Sequence, residues 1–303
     1  MVELTPDLLN QVYAKHLDWY PAIKNPERSP VHINGIGDIL DQFDLVLLDS
    51  YGVLCRGPKP IEGAVEAIAL MRERQKKFCV VSNDTMTRRS IAAEKYQQRG
   101  FDFSAREVLT SLDMTDAFLE TVTSPESIGV IAPLEHPSNH LLEGMVRLNG
   151  CNGVIPDQVN TLLFLTGAGW TGKMQKNLTQ SGTTRQFRLL VGNPDIGAPN
   201  GNKIVATPGY FLADFAEQTD QKSKPELFGK PAMSIFQQAI KEYGVTDLNR
   251  VLMVGDTLYT DILGGNAVGC KTLLLTCGVY QGLNIEEQIE QAEISPDFIA
   301  DQL

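Results

Sequence analysis

Two carboxylates stand at the ends of apolar runs. Leu45-Val46-Leu47-Leu48 stops at Asp49, and Val251-Leu252-Met253-Val254 runs into Gly255-Asp256, with Asp261 five residues further on. A short apolar run that ends on an acid and then turns reads as a buried parallel strand delivering that acid to the open edge of a sheet. Two acids at one edge suggest a divalent cation, because hard cations prefer carboxylate oxygens. Ser82 ends a third run, in Ser82-Asn83-Asp84-Thr85, and Lys230 stands in Gly229-Lys230-Pro231. A carboxylate nucleophile, a hydroxyl, a cation and a second carboxylate for metal are the groups that phosphoryl transfer through an aspartyl-phosphate needs.

These residues are far apart in sequence, so the fold must bring them together. Ile61, Ala64, Val65, Ile68 and Met71 fall on one helical face after the Asp49 strand. Phe78 to Ser82 is the next strand, followed by a helix from about Thr87 to Gly100, a strand at Val108 to Ser111 and a helix from Asp113 to Val122. Such alternation predicts an α/β fold, a doubly wound, Rossmann-like parallel sheet, with its chemistry at the strand ends. From Ser124 the texture changes to strands at Ile128 to Ala132, Leu162 to Thr166 and Leu189 to Val191, separated by Gly-, Pro- and Asn-rich loops. The expected organisation is a core, 1–122, with an N-terminal helical extension over 1–43; an inserted α/β cap, 123–222; and the rest of the core, 223–303. Lys230 is expected to open a helix, with Pro231 in its first turn.

The stretches Asp49-Ser50-Tyr51-Gly52-Val53-Leu54, Val81-Ser82-Asn83, Gly229-Lys230-Pro231 and Gly255-Asp256-Thr257-Leu258-Tyr259-Thr260-Asp261-Ile262-Leu263-Gly264-Gly265 together resemble the four motifs of the haloacid dehalogenase-like (HAD) hydrolase superfamily. The large insertion between the second and third motifs resembles the cap of its class IIA, nitrophenyl-phosphatase and sugar-phosphatase-like branch. The resemblance implies a Mg2+-dependent phosphatase acting on a small phosphorylated metabolite. Asp49 would be the nucleophile. Mg2+ would be held by Asp49, Asp256 and the Tyr51 carbonyl, with Asp261 in support. Ser82, Asn83 and Lys230 would hold phosphate. Asp195, in Asn193-Pro194-Asp195, would face the substrate from the cap. A homodimer is compatible with the resemblance, since cap-mediated dimers occur in similar proteins.

One position departs from the pattern. The family's phosphatases usually carry an Asp two residues after the nucleophile, as acid for the leaving group, and here Tyr51 stands there. A free tyrosine titrates near ~10, so acid–base help does not carry over. Asp84 is one candidate substitute. The alternative function is a weakly active or non-catalytic phosphate-binding relative. A dehalogenase, which also has Tyr at this position, fits less well, because those enzymes use no metal and lack a Gly-Asp motif like that at Asp256.

Other features bound the reading. The net charge of −11 and the lack of a basic patch argue against nucleic acid and anionic membranes as partners. No apolar run approaches the roughly 20 residues a membrane span needs, and the first ten residues lack a signal pattern. Five cysteines form no Cys-x-x-Cys pair, and Cys79 and Cys270 in or beside expected strands suggest buried thiols rather than bridges and a cytoplasmic protein. Gly167-Ala168-Gly169-Trp170-Thr171-Gly172-Lys173 imitates a nucleotide-binding loop, but Met174 replaces the required Ser or Thr. It is expected to be a cap turn near the site entrance, apart from the other candidates. Gly35-Ile36-Gly37 lacks a preceding strand, and Pro137 argues against His136 and His140 as a helical metal pair. Asn177-Leu178-Thr179 is a glycosylation sequon that matters only in a secreted protein.

Overall fold

The computed structural model describes residues 2–200 and 203–303. A seven-stranded, all-parallel sheet runs in the order Val31–His32, Phe298–Ala300, Lys271–Leu275, Val251–Gly255, Leu45–Leu48, Lys77–Ser82, Val108–Thr110. Alternation explains why Leu45–Leu48, Lys77–Ser82 and Val251–Gly255 are apolar between their ends. Val46 and Leu48 pack with Val80, Val254 and Leu273 on one face, under the helices Ala64–Glu73 and Arg89–Gln97. Leu45 and Leu47 pack with Cys79, Val81 and Met253 on the other, under Met233–Tyr243. A strand covered on both faces has no polar side to show.

The chain builds outward from Leu45–Leu48 in one direction, then returns beside it with Val251–Gly255 and builds the other way. The order therefore reverses between these two strands, and the crevice beyond their carboxyl ends is where α/β sheets bind ligands. Leu48 pairs with Val254, and the Asp49 N–H donates to the Val254 carbonyl at 2.9 Å. Adjacency across one ladder is what brings Asp49 and Asp256 together.

A second parallel sheet, in the order Glu226–Leu227, Arg188–Val191, Thr161–Phe164, Ile128–Ile131, Val146–Arg147, forms the body of the insertion. Its final strand lies beyond residue 222 and pairs with Leu190 and Val191. Gly172–Gly182 and Pro208–Thr219 cover one face through Leu178, Leu212 and Phe215.

The extension over 1–43 is more than helical. Thr5 caps the helix Pro6–Lys15 by accepting the Leu8 N–H at 3.2 Å, and Pro6 sits in the first turn. Before it, Glu3–Leu4 adds a third antiparallel strand to the hairpin Gly197–Asn200 and Lys203–Ala206. After it, Val31–His32 closes one edge of the large sheet. Both strands are two residues long, too short for any periodicity to show. Leu9 and Tyr13 enter a buried cluster with Ile196 and Ala213 of the insertion and Leu258, Tyr259 and Tyr280 of the core. The extension is a strap across both. No helix among the described residues is long and apolar enough to cross a membrane.

Candidate active site

Asp49 leaves its strand into a tight turn in which the Leu54 N–H returns to the Ser50 carbonyl at 2.9 Å. Gly52 has φ 94°, and a Cβ there would stand 1.8 Å from Asp256 Oδ2; one on Gly278 would stand 2.0 Å from the same oxygen. The turn thus needs glycine twice over at position 52, for its dihedral and for the carboxylate it must admit.

Asp256 is held by the Thr257 hydroxyl at 3.0 Å and the Val279 N–H at 2.9 Å. A π-helical turn, Leu258–Ile262, folds Asp261 back so that its Oδ2 accepts from the Asp256 and Thr257 N–H groups, each at 3.1 Å. Lys230 Nζ lies 2.7 Å from Asp261 Oδ1 and also contacts Asp49 Oδ1. Asp49, Asp256 and Asp261 each present an oxygen within 4.8 Å of the others.

The electrostatics of this cluster are unbalanced. Burial pushes the Asp49 carboxyl up to about 6, although Lys230 pulls the other way. Burial also raises Asp256 well above the carboxylate range, helped by Asp49 and Asp261. Burial works against the charge of Lys230, but Asp261, Asp49 and Asp195 outweigh it and hold its ammonium above the ordinary lysine value. Three acids against one lysine leave an excess of negative charge, and Asp261 Oδ1 has no well-directed hydrogen bond. Such an all-oxygen donor set fits a hard divalent cation.

Ser82 ends the strand next to that of Asp49 and Asn83 follows it, and both are buried. Ser82 Oγ accepts the Asp84 N–H at 3.2 Å. Asn83 grips the backbone of Lys230 from both sides, accepting its N–H at 2.7 Å and donating to its carbonyl at 3.0 Å. This explains a departure from expectation. Lys230 does not open a helix and Pro231 is not in a first turn; the helix begins at Met233, and the Lys230–Pro231 peptide is cis. The backbone groups at Lys230 are committed to Asn83 instead of to a helical turn.

Asn83 also donates to Asp195 Oδ1 at 2.8 Å, tying the insertion to the loop after Ser82. Asp84 accepts the Met86 N–H at 2.6 Å and caps its own turn. Tyr51 lines the cavity with its ring 6.0 Å from the Arg99 guanidinium.

All nine residues singled out from the sequence, Asp49, Tyr51, Ser82, Asn83, Asp84, Asp195, Lys230, Asp256 and Asp261, line one cavity of about 770 Å3. Gly167, Ala168, Trp170, Thr171 and Gly172 line it too. The turn that imitates a nucleotide-binding loop is therefore a wall of this site and not apart from it. His136 is buried, with Nε2 2.9 Å from the Thr85 carbonyl, a packing role that supports the loop after Asn83. Sequence reasoning missed Val2, Lys95, the hairpin residue Ala198 and Thr207 just after the hairpin, which also face the cavity. A Lys on a helix or a Val near a terminus carries no local signal of a pocket.

A turn bearing the strand-end carboxylate of Asp49, a carboxylate cluster and a covering insertion meet at the parallel sheet's switch point. Residues 46–139 match the family model described as haloacid dehalogenase-like hydrolase, and residues 227–303 match a second, HAD-hydrolase-like model. Human glycerol-3-phosphate phosphatase is 29% identical over 299 residues, spanning 88% of this chain and 90% of that protein. The Bacillus subtilis sugar-phosphatase AraL is 26% identical over 269 residues, spanning 85% and 90%. Among solved structures, a possible sugar phosphatase from Cytophaga hutchinsonii superposes with a TM-score of 0.75 at 22% identity, covering 89% of this chain and 97% of that one. The p-nitrophenyl phosphatase from Archaeoglobus fulgidus gives 0.68 at 22%, covering 86% and 96%. The chain belongs to the haloacid dehalogenase-like hydrolases, in their capped class IIA branch, and is a phosphoric monoester hydrolase.

Proposed function

We propose that the protein is a Mg2+-dependent phosphatase that hydrolyses a small phosphorylated metabolite, such as a sugar or polyol phosphate, through a phosphoryl group carried on Asp49. The observation that carries this reading is the carboxylate cluster, three oxygens within 4.8 Å beside a buried lysine at the ends of adjacent strands. Asp49 forms the new P–O bond as the ester P–O bond breaks, and water then attacks phosphorus to release inorganic phosphate. Ser82 and Lys230 face the phosphoryl oxygens and offset their charge. Asp49, Asp256 and Asp261, with the Tyr51 carbonyl, would hold Mg2+, which when bound supplies the positive charge that the cluster lacks. The cavity roof from the insertion excludes water and sizes the substrate. Five free cysteines suit a reducing, cytoplasmic setting.

The test is hydrolysis of 4-nitrophenyl phosphate with Mg2+, after chelation, and after Mg2+ is restored. Turnover that follows the metal supports the reading. Inert protein that still binds inorganic phosphate would favour a phosphate-binding relative, the reading that Tyr51 in the acid position suggests.

A further inference from the structure

The reaction just described leaves one proton without a source. An alkyl ester oxygen needs a proton as its bond to phosphorus breaks, and the residue two positions after the nucleophile is Tyr51, whose ring packs beside Arg99. Asp84 lies near, but its carboxylate is turned into its own loop by the Met86 N–H.

We infer that Asp195, on the loop of the insertion that meets Asn83, is the general acid for the leaving group. The inference rests on the phosphatase reading above. Its geometry comes from both sides of the cavity. Asp195 lines the cavity with Asp49, Ser82 and Lys230. Asn83 donates to one carboxyl oxygen, Oδ1, and so fixes the ring of contacts that place the group beside the Lys230 loop. The backbone behind it is locked. The Asp195 N–H donates to Asn193 Oδ1 at 2.9 Å, the Thr207 hydroxyl donates to the Asp195 carbonyl, and the next N–H, of Ile196, donates to the Tyr13 hydroxyl at 3.0 Å. A Cβ on Gly209 would stand 2.5 Å from the Asp195 carbonyl, so the following helix also abuts the loop. Among the described residues the second carboxyl oxygen accepts no hydrogen bond. A carboxyl held this firmly, with one oxygen tied and one free over a phosphate site, is arranged to deliver a proton.

The charges around it suit that role. The groups that act on it are Lys230, Asp49 and Asp261 of the core, while Tyr13 and Tyr20 of the N-terminal strap feel its charge from behind. Burial, with Asp49 and Asp261, outweighs Lys230 and the Asn83 hydrogen bond, and raises the carboxyl to about 7. A group with that value holds its proton near neutral pH and can give it up. In the first step Asp49 bonds to phosphorus, the ester bond breaks, and the Asp195 proton moves to the departing alkoxide. In the second, water attacks the phosphoryl group, its proton goes to the Asp195 carboxylate, and Asp49 is released.

The experiment compares wild type, Asp195→Asn, Asp49→Asn and Asp195→Asn/Tyr51→Asp on 4-nitrophenyl phosphate, whose leaving group needs little protonation, and on an alkyl phosphate, whose leaving group needs much. Asn at 195 can still accept from Asn83, and melting curves check that it folds. The expected result is a loss of roughly 10²–10⁴-fold in single-turnover release of the alcohol from the alkyl ester, a near-normal burst of nitrophenolate followed by slowed steady-state turnover of both esters, loss of the high-pH fall in the alkyl-ester burst rate, and partial recovery in the double variant. Equal losses in the two single-turnover rates, or no loss in either, would overturn the assignment while leaving Asp49 chemistry standing. Full activity of Asp49→Asn would instead remove the phosphatase reading, and the acid role with it.

Discussion

The floor and the roof of one cavity are built by different rules. The floor is the edge of the seven-stranded sheet, where Asp49, Ser82 and Asp256 end or follow three neighbouring strands and their positions come from the ladder itself. The roof comes from the insertion and the strap, where Asp195, Thr207 and Val2 reach the cavity on loops and a short hairpin. Floor residues are placed by backbone hydrogen bonds and strands buried on both faces. Roof residues are placed by side-chain ties such as Tyr13 to Ile196 and Asn83 to Asp195. On the proposed mechanism, the chemistry that must not move sits on the rigid part and the group that meets the substrate on the adjustable part.

If the floor carries the chemistry, damage there should be catastrophic for turnover and mild for the fold. Asp49→Asn should cost on the order of 10³-fold or more in kcat on every substrate. Its melting temperature should match or exceed wild type, because burial already works against the Asp49 charge. A steady-state assay beside a thermal melt reads both quantities, and retained activity would mean that the floor has been misassigned.

The next effect is on metal. Asp256→Ala removes one of the three clustered carboxylates and leaves its glycine cradle empty. Partners that merely orient ligands are each worth about 10–100-fold in metal affinity, so losing a direct ligand should exceed that range. Calorimetric Mg2+ titration of the two proteins checks it.

These floor residues were legible because each announces itself locally. A four-residue apolar run ending in an acid, or Gly-Asp with a second Asp five residues on, can be read without knowing what lies across the cavity. The doubly wound core was legible for the same reason. Lys230 was legible as a residue but not in its conformation, because the side chain that fixes it, Asn83, lies in a distant segment. Val2 and Lys95 carried no signal, since an apolar residue near a terminus and a lysine on a helix are ordinary there. The turn at Gly167 to Gly172 was legible as a cap turn, but its place in the wall depended on how the insertion lies over the sheet.

The roof should fail in the opposite manner, through structure first. Tyr13 is wholly buried, stacks on Tyr259 at 4.8 Å with the rings 4° apart, and accepts the Ile196 N–H. Tyr13→Ala should destabilise the protein by about 3–5 kcal/mol, as truncations of large buried aromatics do. It should also raise KM more than it lowers kcat, since it loosens the Asp195 loop without touching Asp49. Denaturant unfolding and substrate titration test the two halves. A fall in kcat alone would erase the proposed division of labour.

The smallest expected effect is a pH dependence of stability in metal-free protein. Asp49 is raised to about 6 and Asp195 to about 7, so the folded state binds protons more tightly than the unfolded chain. Their contribution to stability is therefore greatest at low pH and falls as the pH rises from about 4 towards 7. Asp195→Asn should flatten part of that fall and leave the rest, which belongs to Asp49 and Asp256, both raised by burial. Urea midpoints between pH 5 and 8 would show it, and an unchanged slope would mean that Asp195 ionises as freely as a surface acid.

The central claim is that Asp49 itself carries the phosphoryl group, and acid-quenching the enzyme during turnover of 4-nitrophenyl phosphate with Mg2+, followed by peptide mass spectrometry, tests it most directly. The account predicts one phosphoryl group on the peptide containing Asp49, absent without substrate and absent in Asp49→Asn; a phosphoryl group on Ser82 or any other side chain would contradict it.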